Sequence, residues 1–225
     1  MNFREKILLI PHSFVALGVI ETLKALGRYV LLRPSDLSFD KKYSTETRTR
    51  IDTNYYRTSP ERFVRHLISN LGIDYREFDF VDIGCGKGRV LLIASNYPFR
   101  SISGVEIQRS VCVAAKKNLQ IYKSIEQKCF NIQIHNLDAR SFEPSIANTV
   151  FYFFEPFDKF VLGDVLAKIA HRVKGQGKTI YVVCVWPNLG PMLTFIEKLG
   201  FQTIRHQKML VSALNYTVFT LHSAE

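Results

Sequence analysis

The sequence predicts an α/β fold: a largely parallel sheet with helices on both faces, a terminal antiparallel hairpin and an N-terminal helical extension. Three observations predict it. Residues 80–95 read F-V-D-I-G-C-G-K-G-R-V-L-L-I-A-S, an apolar run that breaks into glycines at 84, 86 and 88 and resumes at helical length. Strand, glycine turn and helix in that order open a nucleotide-binding α/β unit. From residue 101 onward, short apolar runs alternate with segments of helical period. The last two runs, 201–210 and 216–222, can pair as a hairpin.

In chain order, Ile7 to Ile20 is strongly apolar, but Pro11, His12 and Ser13 interrupt it and no clear small-residue cleavage site follows. It reads as neither a signal peptide nor a membrane span. From Phe14 onward, Val15, Val19, Leu23, Leu26 and Val30 recur at helical spacing. An amphipathic helix packed on the domain is the preferred reading. A helix lying on a membrane surface is the other, with Arg4, Lys6, Lys24 and Arg28 beside it. Residues 35–60 are polar and turn-rich, and Phe63, Leu67, Ile68 and Leu71 begin a helix that stops at Gly72.

Past the glycines, a strand is expected over 101–107. A helix over 110–122 follows, with Val111, Ala114, Ala115, Leu119 and Tyr122 inward, then a strand over 130–137. Val150 to Phe154 is too apolar for an edge and reads as a central strand. Phe160, Val161, Val165, Ile169 and Val173 mark a helix, 179–185 a strand, and Gly190-Pro191 starts a helix that Gly200 ends.

Composition fits a globular chain: 225 residues, 47% hydrophobic and 22% charged. The four cysteines and six histidines show no ligand or disulfide spacing, so reduced thiols, a cytoplasmic location and no metal are expected. The net charge of +10 lies in the flanks, with 12 basic and 7 acidic residues in 1–67, 8 and 3 in 159–225, and 10 of each between. Basic flanks suit an acidic partner such as nucleic acid or an anionic membrane; they also serve solubility alone.

The spacing discriminates between nucleotides. A dinucleotide loop counted from Gly84 needs glycine at 89, where this chain has Arg89. The pattern is D-x-G-x-G-x-G, followed by Gly104-Val105-Glu106 and Leu137-Asp138-Ala139 at the ends of the next two apolar runs. It resembles the class I S-adenosylmethionine-dependent methyltransferases; three helix caps on an unrelated α/β domain is the bland alternative. F-D-K-K-Y-x-T-E-T (39–47) and Y-x-T-S-P-x-x-F (56–63) resemble a bacterial group of these enzymes. That group is distantly similar to lysine methyltransferases of the histone H3 globular-domain type.

The resemblance covers roughly 39–225 and implies a Rossmann-like seven-stranded methyltransferase sheet. Residues 1–66 would be a helical extension and lid segment, and 67–225 the cofactor-binding domain. Gly84, Cys85, Gly86 and Gly88 would line the methionine part of S-adenosylmethionine, and of the product S-adenosylhomocysteine. Asp82 would hold the loop or contact the methionine amino group. Glu106 with Ile107 would take the ribose, and Asp138 with Ala139 the adenine side. In relatives the lid segment covers the cofactor; an ordinary polar linker is the alternative for 35–60.

Glu155-Pro156-Phe157-Asp158 falls where the resemblance puts the methyl acceptor, so Glu155, Phe157 and Tyr56 are the candidate catalytic residues, and Glu155 also belongs to the implied cofactor-binding set. Relatives of the group usually carry N-P-F, so Glu155 is a departure that favours a cationic amine over a nucleobase. A mere helix cap at this position is the other reading. The implied activity is N-directed methyl transfer with protein lysine first as acceptor. An RNA or DNA base methyltransferase is the alternative, as is a cofactor-binding scaffold without catalysis that touches membrane through residues 1–32. Oligomeric state is not legible.

Overall fold

A computed structural model describes residues 36–47, 58–155, 158–186, 190–207 and 216–222. Seven strands form one sheet: β1 (Asp79–Ile83), β2 (Ser101–Glu106), β3 (Ile132–Asn136), β4 (Thr149–Phe154), β5 (Thr179–Val185), β6 (Gln202–Gln207) and β7 (Tyr216–His222). Their order is β3-β2-β1-β4-β5-β7-β6. β1 to β5 are mutually parallel, and β7 runs antiparallel to both β5 and β6. This is the expected Rossmann-like seven-stranded sheet with its terminal antiparallel pair. The order reverses between β1 and β4, and such a switch point leaves a crevice beyond the carboxyl ends of the strands.

The helices are α1 (Asp36–Tyr43), α2 (Glu61–Ser69), α3 (Arg89–Ala94), α4 (Arg109–Ile121), α5 (Lys159–Val173) and α6 (Gly190–Lys198). β1 and β4 are buried on both faces, as the unbroken apolar run at 150–154 requires. Phe80, Tyr152 and Val183 join one core with α1, α2 and α3. Val81, Phe151, Phe153 and Val182 join the other with α5 and α6. Gly104 lies where β2 passes the glycine loop: a Cβ there would stand 2.6 Å from Leu91 and 2.7 Å from Cys85 Sγ.

Two expectations change. The turn-rich stretch contains α1, whose Phe39 and Tyr43, one helical turn apart, pack against each other and against Tyr122. On α4 the fully buried positions are Val111, Cys112, Ala115 and Asn118, while Ala114 and Leu119 are only half-buried. Asn118 goes inside because its amide has a dedicated partner set, described below. The expected helix from Phe14 to Val30 lies outside the described residues.

Candidate functional site

The site starts where β1 ends. Ile83 pairs with Val105 of β2 and with Phe153 of β4, so the residues that follow each strand meet at one edge of the sheet. Gly84 and Cys85 both donate their N–H to Val105 O, at 2.9 and 3.0 Å, which folds the chain back over β2. Gly84, Gly86 and Gly88 have φ of 82°, 52° and 85°, a left-handed run that only glycine adopts without strain. The Cys85 side chain is buried inside this turn, and burial pushes its thiol well up, so it is no nucleophile.

Glu106 reaches across the turn. Its Oε2 accepts from Gly86 N–H at 3.1 Å and its Oε1 from Gln108 N–H at 2.9 Å. Ile107 beside it is 64% exposed. Asn136, which sequence reading passed over, donates to the carbonyls of Glu106 and Ile107 at 3.0 and 2.9 Å and fixes the β2 end to the β3 end. Asp138 follows β3 and caps a short 3-10 turn, accepting from Arg140 N–H at 2.8 Å. The Arg140 guanidinium also pairs with it, at 3.0 and 2.7 Å, and these bonds lower its carboxyl to about 2. Ala139 is half-buried in the same turn.

Asp82 is 3% exposed, and no described residue donates a hydrogen bond to its carboxyl. Burial first, and then the charge of Glu106, raises its pKa well above the ordinary value. A buried acid to which no described residue donates, just before a glycine turn, calls for a cationic partner. These residues fit an S-adenosylmethionine molecule, which carries an ammonium that a buried carboxylate can pair with and ribose hydroxyls that a carboxylate can accept.

At the end of β4, Glu155 has φ of +42°, an uncommon conformation for a glutamate, and its N–H donates to Val185 O at 3.2 Å. The cap of α5 is Asp158, whose carboxylate accepts from Phe160 and Val161 N–H at 2.9 and 3.0 Å. The capping role weighed for Glu155 therefore belongs to its neighbour. Tyr56, Pro156 and Phe157 lie outside the described residues.

The 39–47 motif is strapped onto the first helical turn after the glycines. Arg89, 2% exposed, donates through Nε to Thr47 Oγ1 at 2.6 Å, and its Nη2 stands 3.3 Å from Asp40 Oδ2. Its guanidinium lies over the Phe39 ring. Asp40 Oδ1 also accepts from the hydroxyls of Thr45 and Thr47 and from Thr47 N–H. Burial alone would raise the Asp40 pKa, but these bonds and Arg89 outweigh it and hold the carboxyl below its ordinary value. Asn118 completes the strap: its amide exchanges hydrogen bonds with the Glu46 backbone and donates to Lys87 O at 2.9 Å. Ser59, from the second motif, is buried 3.0 Å from the Tyr152 hydroxyl of β4. Sequence reading used Arg89 only to reject a dinucleotide loop and did not see it as an anchor.

A protein family described as "Putative methyltransferase" matches residues 76–161, which span β1 to the start of α5. No curated protein matches the sequence. Among solved structures, the mitomycin 7-O-methyltransferase aligns over 72% of this chain at 15% identity and a TM-score of 0.53; this chain spans 53% of its length. An S-adenosylmethionine-dependent methyltransferase from Methanosarcina mazei aligns over 71% of this chain and 98% of its own, at 14% identity and 0.53. The precorrin-6y C5,15-methyltransferase from Geobacter metallireducens aligns over 80% and 94%, at 16% and 0.53. The chain has the class I S-adenosylmethionine-dependent methyltransferase fold, and the family match across its glycine turn and acidic strand ends supports a methyltransferase.

Proposed function

We propose that the chain transfers a methyl group from S-adenosylmethionine to an amine nitrogen, with a protein lysine as first acceptor. The observation that carries the reading is Glu106 at the end of β2, whose carboxylate is held across the left-handed glycine turn by the Gly86 and Gln108 N–H groups. In this reading Gly84, Cys85, Gly86 and Gly88 line the methionine part and Asp82 takes its ammonium. Glu106 and Ile107 hold the ribose, and Asp138 and Ala139 border the adenine. The sulfonium supplies an activated methyl and a good leaving group, so the chain's own work is alignment and exclusion of water.

Glu155 is assigned to the acceptor. With the capping role filled by Asp158, its strained backbone at the mouth of the switch point is accounted for by a position aimed at substrate. A carboxylate there favours a cationic amine and can take the proton that the nitrogen must lose before it attacks. Tyr56 and Phe157 are proposed as the aromatic walls that desolvate that amine, which lowers its pKa from the ordinary lysine value of about 10.4. The likeness to lysine methyltransferases of the histone H3 globular-domain type, read from the 39–47 and 56–63 motifs, supports a protein acceptor.

The test has two layers. Calorimetric titration with S-adenosylmethionine should show binding that Glu106→Ala weakens by about tenfold to a hundredfold, the loss of charge-assisted hydrogen bonds. Tritiated-methyl transfer into cell-lysate fractions should then label the protein pool, and Glu155→Ala should abolish the label while leaving cofactor binding intact. Label confined to RNA or DNA would replace the acceptor with a nucleobase. Cofactor binding without any label would leave a scaffold.

A further inference from the structure

We infer that the turn between α4 and β3, together with the outer face of α4, is a contact surface for an anionic lipid bilayer. The neutral charge count of the middle of the chain conceals a local excess. Between Arg109 and Phe130 there are five basic side chains (Arg109, Lys116, Lys117, Lys123, Lys128) and one acidic, Glu126. Glu126 is itself paired with Arg65, at 2.9 Å. Lys116, Lys117, Lys123 and Lys128 are exposed, and none is ion-paired with a described residue.

Apolar side chains stand among these charges. Ile125 is fully exposed, Phe130 is 77% exposed and Val113 62%. Ile125 sits at the second position of a turn closed by Gln127 N–H to Ser124 O at 3.2 Å, with Ser124 Oγ accepting from Glu126 N–H. Lys128 and Cys129 N–H both bond Ser95 O, at 2.7 and 2.9 Å, so the turn is held against the body. Turn apices ordinarily carry glycine, proline or short polar residues. An isoleucine held there, with Phe130 and Lys123 along one groove of about 550 Å³, is apolar surface without a partner among the described residues.

The chemistry of the patch selects the occupant. Lysines meet lipid phosphates while Ile125 and Phe130 reach the acyl boundary, the pattern of an interfacial contact. A nucleic acid would engage the lysines and leave the aliphatic side chains in water. A second copy docked through the same face would set these lysines against their own mates. The turn that carries Ile125 and Phe130 lies at the amino ends of the strands. Glu106 and Asp138 stand at the carboxyl ends, about 20 Å away along the 13 residues of α4. The inference is therefore independent of the proposed methyl transfer.

The test is vesicle flotation of the full chain, with phosphatidylcholine alone and with phosphatidylcholine mixed with phosphatidylglycerol. Binding is expected only to the anionic vesicles, falling with added salt. Ile125→Ser combined with Phe130→Ser, which removes no buried side chain, should weaken it by roughly tenfold or more. Lys123→Gln with Lys128→Gln should weaken it and flatten the salt dependence. Failure of the full chain to float with anionic vesicles overturns the inference. So does flotation of the apolar double variant equal to the parent, or a gel shift of RNA without vesicle binding.

Discussion

Asp82 and Asp40 are both aspartates in one domain, and their surroundings send them in opposite directions. Asp82 is buried with no donor among the described residues and its pKa rises, whereas Asp40 accepts three hydrogen bonds from Thr45 and Thr47 and falls. For Asp82 the folded state binds a proton that the unfolded chain has released above 3.8, so folding stability declines as pH climbs from there through the raised value. A ligand ammonium would reverse that cost by pairing with the ionised form. Asp82→Asn should then raise the thermal midpoint of the free protein at neutral pH, with a gain that shrinks to nothing near 3.8. It should also remove the rise of cofactor affinity with pH expected of the parent. Scanning calorimetry and titration across pH check both halves. A variant less stable than the parent at neutral pH would mean that Asp82 holds the loop instead of awaiting a cation.

The strap of α1 and residues 45–47 is an element built by one buried arginine. Its sequence D-L-S-F-D-K-K-Y lacks an apolar stripe, which is why the helix was not legible; only Phe39 and Tyr43 share a face. The strands were legible because β4 and β5 are near-continuous apolar runs and β1 leads into the glycines, and α5 because its apolar positions recur at helical period. Polar pairings across 40 or more residues, such as Arg89 with Thr47 or Asn118 with Glu46, carry no periodic signal at all. Breaking one has a definite expected cost. Arg89→Met takes the cation from the Asp40 carboxylate, 12% exposed, which keeps its bonds from Thr45 and Thr47, and should destabilise the fold by about 1–3 kcal/mol in urea unfolding. Asp40 has a depressed pKa, so its contribution is present above 3.8 and disappears as pH falls below it. The gap between parent and variant should close in the same acid range. A pH-independent gap would place the loss in packing against Phe39 alone.

Across the whole molecule, the parallel sheet separates two ends with different chemistry. Every strand from β1 to β4 delivers an acid or a glycine turn to its carboxyl end: Gly84 with Cys85, Glu106, Asp138 and Glu155. That much was legible from spacing, because acids at successive strand ends survive as a sequence pattern. Charge segregation was not, since the neutral count over 68–158 averages residues 109–130, with five basic residues and one acid, against a remainder that holds nine acids and five basic residues. The helix joining the two ends, α4, is fixed at its start by the Cys112 thiol on Glu106 O, at 3.3 Å, and at its end by Tyr122 on Asn96. It spans about 20 Å between Glu106 and the turn that carries Ile125, and sites that far apart usually add independently. Saturating anionic vesicles should therefore leave the cofactor dissociation constant within about twofold of its free value. Combining Glu106→Ala with Ile125→Ser should lose cofactor and lipid binding by the same factors as the single variants. A tenfold change in cofactor affinity on vesicles would show that α4 moves as the lipid face engages. The glycine turn would then have to be treated as a switch set by the membrane, not as a preformed cradle.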